Sequence, residues 1–158
     1  MKKFFVNLII IFFILILDTL LSKIFPFYLR PNLWLVYIVF VSLFLGHTDG
    51  VVVGFIVGVI YDILHLTFFG VNTLLLTTIG YLFGWLYRRV NGNLYNVQVL
   101  SLLLSCLVYY GLYFIISLLF KFIGRNFIYL LSALSTFVIG FLELQILIQV
   151  YKKYGVVK

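Results

Sequence analysis

Alanine, one of the small residues that let membrane helices approach, occurs once in the chain, at Ala133. Cysteine also occurs once, at Cys106 inside an apolar run. That excludes an internal disulfide framework and any cysteine-based metal cluster. The two prolines, Pro26 and Pro31, share one stretch, so proline punctuates the chain in a single place. Charge is the largest deficit. Only 9% of residues are Asp, Glu, Lys or Arg, against about 25% in a soluble domain. The acids are four: Asp18, Asp49, Asp62 and Glu143. There is no HExxH or paired-cysteine metal motif and no internal repeat. No loop is long enough to hold a soluble core. No compact basic patch with interleaved aromatics marks a nucleic-acid binder.

Apolar residues make up 65% of the 158-residue chain and aromatics 20%. Such a surface is compatible with lipid and not with water. The pattern predicts an all-α integral membrane protein: one transmembrane domain, 1–158, of six helices with short loops. The spans are expected near 4–22, 33–45, 51–68, 73–87, 97–120 and 127–150. A span needs about 20 apolar residues, so the short second run needs a thinned bilayer or snorkelling flanks. If that run does not cross, five spans result. Met1-Lys2-Lys3 before Phe4–Leu17 resembles a signal peptide, but no small-x-small cleavage site follows, and an uncleaved first span is expected. Lys23–Asn32 holds both prolines and reads as the first loop, flanked by interfacial aromatics. The net charge is +7, and in such a protein it reports on topology and anionic headgroups. With six spans, one side carries Lys2, Lys3, Arg88, Arg89, Lys152, Lys153 and Lys158, and the other Lys23, Arg30, Lys121 and Arg125. The richer side is expected to be cytoplasmic, with both termini on it.

The most informative stretch is Gly46–Gly70. Small residues recur at Gly46, Gly50, Gly54 and Gly58, followed by Asp62 and His65. On a helix, Gly54, Gly58, Tyr61, Asp62 and His65 share an arc of roughly 100°. This notched, polar arc is expected to face protein rather than lipid. The seam would pack within the bundle or receive a partner's helix. A mid-span Asp costs roughly 2.5 to 3.5 kcal/mol on insertion scales. Asp62 is therefore read as an internal hydrogen-bond anchor or docking residue in preference to an ion site, proton relay or catalyst. His65 lies within reach of it at i,i+3, but nothing completes a metal site or a nucleophile. Asp18 is expected at the headgroups in contact with water. Gly46–Gly50 reads as a tight turn with His47 as a loop residue and Asp49 capping the next helix. Glu143 is expected to snorkel to the interface or to pair with Arg88 or Arg89.

Arg30-Pro31-Asn32 leading into an apolar run, then Gly50-x3-Gly54-Phe55-x2-Gly58-x3-Asp62, then Gly70, resembles the MreD family of rod shape-determining membrane proteins. Asn32 stands where much of that family has Asp. The resemblance implies a non-enzymatic scaffold, without cofactor, in the inner membrane of a bacterium. It would support cell shape and lateral peptidoglycan synthesis. The implied partners are MreC and, through it, MreB, RodA and a class B penicillin-binding protein, besides membrane lipids. It implies packing or partner-binding roles for Arg30, Pro31, Gly50, Gly54, Gly58, Asp62, His65 and Gly70. It also implies a fold similar to the S components of energy-coupling-factor transporters. The alternative function is then a small-molecule-binding S component of such an importer, which the alanine-free first span disfavours, since S components commonly dock through an Ala-x-x-x-Ala face there.

Overall fold

The computed structural model describes residues 2–26, 29–65, 70–87, 89–90, 94–119 and 126–155. They form six α-helices in the order α1 (Lys2–Ile24), α2 (Leu33–Phe44), α3 (His47–His65), α4 (Val71–Gly84), α5 (Tyr95–Leu119) and α6 (Asn126–Lys153). Helices α1, α3, α5 and α6 are long and apolar enough to cross a membrane. Helices α2 and α4 are shorter, at 12 and 14 residues. At 1.5 Å per residue α2 is about 18 Å long, well short of a hydrocarbon core of about 30 Å.

The short helix is the centre of the molecule. Every residue from Trp34 to Val41 has zero exposure, and α2 touches all five other helices. A helix that is apolar on every face must be covered on every face. Here protein provides the cover, so α2 need not match the bilayer. Asn32 starts α2 by accepting the Leu35 amide on its side chain at 3.1 Å.

Only Leu45 and Gly46 separate α2 from α3. The Leu45 and Gly46 amides both donate to the Val41 carbonyl, at 2.8 and 3.3 Å. Gly46 turns the chain at φ +121°, a conformation that favours glycine. It stands outside the helix and so does not continue the glycine ladder. The expected turn over Gly46–Gly50 is instead helix from His47 onward, with Gly50 donating to the Gly46 carbonyl at 2.9 Å. Asp49 consequently lies in the first turn of α3 rather than at its cap. There it still faces the positive end of the helix dipole.

Along α3, Gly50, Val53, Gly54, Val57, Gly58 and Asp62 are buried, while Val52, Phe55, Ile56, Ile63 and Leu64 are exposed. The buried face meets α4 in an antiparallel pair, the most extensive helix contact in the fold. Helix α1 is the least embedded. Phe5, Ile9, Phe12 and Phe13 are each about 60% exposed.

Candidate functional site

Glycine sets how near α3 and α4 lie. A Cβ on Gly54 would stand 2.8 Å from the Leu76 carbonyl oxygen, and one on Gly84 would stand 2.6 Å from the His47 Cα. One on Gly58 would strike the Thr73 Cα, and one on Gly80 the Gly50 carbonyl. Each obstacle is backbone and cannot rotate away. The seam of small residues is therefore filled from within the chain, by α4, and Gly80 and Gly84 complete it from the other side.

This proximity delivers Asp62, one turn beyond Gly58, to the start of α4. Its Oδ2 accepts the Gly70 amide at 3.0 Å, the Thr73 amide at 3.0 Å and the Thr73 hydroxyl at 2.7 Å. Its Oδ1 accepts the Asn72 amide at 3.2 Å and the Asn72 side-chain amide at 2.9 Å. Gly70 is the N-cap of α4, at φ +97°, and has no side chain with which to cap. Asp62 supplies the capping carboxylate from the neighbouring helix. It satisfies orphan amides and places negative charge at the positive end of the α4 dipole.

The cap opens a polar layer through the bundle. Asn72 Oδ1 accepts the Tyr109 hydroxyl of α5 at 2.7 Å. The Tyr109 ring stands edge-on to Tyr110, with centroids 5.1 Å apart. The Tyr110 hydroxyl lies 2.9 Å from Thr136 Oγ1 of α6. Both hydroxyls also reach the Ser132 carbonyl, Thr136 at 2.7 Å and Tyr110 at 3.3 Å. Thr136 Oγ1 also accepts the Asn32 amide at 3.0 Å, at the head of α2. Beside it, the Arg30 guanidinium pairs with Asp18 of α1 at 2.9 Å, and the Trp34 indole donates to the same carboxylate at 3.2 Å. All six helices contribute to this layer.

The residues singled out in the sequence fall as follows. Asp62 and Gly70 meet in the cap; Gly50, Gly54 and Gly58 line the seam that positions it. Arg30 holds α1, and Pro31 is buried at the entry to α2. His65 ends α3, but its side chain lies outside the described residues, as does any contact it makes with Asp62. Asp18, expected in water, is only 4% exposed and ion-paired. A buried carboxylate is tolerable once a guanidinium and an indole N–H satisfy it. His47 begins α3, with its ring edge-on to Tyr81 at 4.7 Å. Glu143 neither snorkels nor pairs with Arg89, whose guanidinium lies 3.7 Å over the Trp85 ring. Both Glu143 oxygens are buried without a hydrogen-bond partner among the described residues; Arg88 lies outside those residues. Asn72, Thr73, Tyr109 and Thr136 complete the layer; an Asn, Thr or Tyr of another span is the kind of anchor a buried Asp62 calls for, but these individual residues were not singled out. Gly70-x-Asn-Thr is a usable signal for a helix start wanting a cap; nothing in the sequence singles out Tyr109 or Thr136.

A family model described as rod shape-determining protein MreD matches residues 1–154. No curated protein and no solved structure matches the chain.

Proposed function

With all but its last few residues matched, the chain belongs to the MreD family and is a rod shape-determining membrane protein, and from this premise we propose that it acts as a non-enzymatic scaffold of the elongation machinery in a bacterial inner membrane. Its direct partner is MreC; MreB, RodA and a class B penicillin-binding protein are reached through it. Both termini are cytoplasmic. The observation that carries this reading is the engagement of Asp62. Its carboxylate is occupied by backbone and side-chain donors of α4, which supports an architectural role and leaves it poorly placed to move protons or bind a substrate. The importer reading, with its implied likeness to S components, remains disfavoured, because α1, Lys2–Ile24, contains no alanine.

The test is co-purification of MreC from membranes together with cell width in a strain whose only copy carries Gly58→Leu. A leucine there collides with the Thr73 backbone, so MreC recovery and rod shape are both expected to be lost. Gly111→Leu, where a Cβ meets nothing within 4 Å, is expected to keep both. Normal width and normal MreC recovery in the Gly58→Leu strain count against the proposal.

A further inference from the structure

Helix α1 begins where α6 ends, and the two are tied there. The Tyr151 hydroxyl donates to Asn7 Oδ1 and lies 3.4 Å from the Tyr37 hydroxyl of α2. Tyr151 is fully buried, whereas the next two residues, Lys152 and Lys153, are exposed and close α6. On the other helix Lys2 and Lys3 open the first turn, and Lys3 stands about one turn before Asn7. The tie therefore gathers four lysines at one corner of the bundle.

Among the described residues no carboxylate answers that charge. The first turn of α1 holds no acid, and the helix dipole adds partial positive charge at the same place. Asp18 is spent on Arg30 and Asp62 on the α4 cap, each toward the opposite end of its helix. Asp49 begins α3, which packs on α2 and α4, and Glu143 lies ten residues back inside α6. The height of the corner decides what answers it. The apolar span of α1 opens at Phe5 and that of α6 closes at Lys153, so the lysines stand where hydrocarbon gives way to headgroups. Tyr154 follows at once, 60% exposed, a residue type that settles at this level. Anionic phosphodiesters of the bilayer are at hand there, and they draw lysines strongly.

We propose that the lysine corner made by the start of α1 and the end of α6 binds the headgroup of an anionic phospholipid, and that the Asn7–Tyr151 hydrogen bond assembles it. The site needs no MreC and stands apart from the scaffold reading.

The experiment is native mass spectrometry of the full chain, delipidated in detergent and then given phosphatidylglycerol, zwitterionic phosphatidylethanolamine or free glycerol phosphate. A discrete phosphatidylglycerol adduct is expected, about tenfold above that of phosphatidylethanolamine, with none from glycerol phosphate. Lys152→Gln together with Lys153→Gln is expected to cut it about thirtyfold, the effect of two lysines at a headgroup. Lys23→Gln with Arg89→Gln removes the same charge from exposed positions elsewhere and is expected to leave the adduct in place. Asn7→Leu keeps every charge but unties the two helices, and it is expected to lose most of the adduct. Equal adducts with the two lipids, an equal loss in the two charge-matched pairs, or equal binding of glycerol phosphate overturns the proposal. So does a benzophenone amino acid at position 154 that captures an acidic peptide and no phospholipid in native membranes. Failure of MreC to co-purify with the unaltered chain would overturn the scaffold reading instead, and lipid retention does not depend on it.

Discussion

Asp62 replaces a capping side chain that α4 lacks, and this makes its removal measurable. Asp62→Ala strips the acceptor from three backbone amides and from the side chains of Asn72 and Thr73. A lost cap together with stranded buried donors amounts to about 2 to 4 kcal/mol. The expected outcome is a clear fall in the melting temperature of detergent-purified protein, with helix content by circular dichroism little changed below the transition. An unchanged melting temperature would mean that the cap carries no weight. At this scale the sequence was half legible. A carboxylate in the middle of an apolar run had to have protein donors, so the need for a partner followed from its cost in lipid. Which donors it would find did not follow, because they sit on the next helix and are mostly main chain. Asp18 was misjudged for a related reason. Its position late in α1 resembles a headgroup position, and only the fold reveals that Arg30 and Trp34 return to cover it.

Among the described glycines, those on α3 and α4 bring helix backbone against helix backbone. Gly58→Ala places a methyl group against the Thr73 Cα, and Gly111→Ala places one in open space. The first is expected to destabilise the protein by about 1 to 3 kcal/mol, the usual cost of overpacking. The second is expected to be neutral or to stabilise by up to about 1 kcal/mol, through helix propensity. Thermal or denaturant unfolding of both variants side by side checks the contrast. The glycine spacing made this face of α3 readable in advance, although it left open whether the seam served the chain itself or a partner. The central place of α2 was not readable. A stripe of apolar residues is informative in water, but in a bilayer a helix wrapped by lipid and a helix wrapped by protein have the same composition. The one clue was its shortness, which left open a thinned bilayer or a run that does not cross; burial among five neighbours could not be read from it.

For the molecule as a whole, hydropathy alone made a helical, multi-pass membrane protein legible, because four helices are long and apolar enough to cross. Orientation depends on the basic residues. If Lys2, Lys3, Arg88, Arg89, Lys152, Lys153 and Lys158 lie on the cytoplasmic side, fluorescent-protein fusions at either end are expected to glow and alkaline phosphatase fusions there to be inactive. The reverse pattern at one terminus only would require an odd number of crossings. The polar layer drawing in all six helices gives the bundle a single cross-braced plane, and the enclosed α2 stands against it. Lipid lies against the long outer helices, which can tilt as the surrounding bilayer thickens or thins, while the inner strut has no lipid contact through which to register the change. A protein built this way keeps the geometry it presents to its neighbours indifferent to the thickness of the bilayer around it.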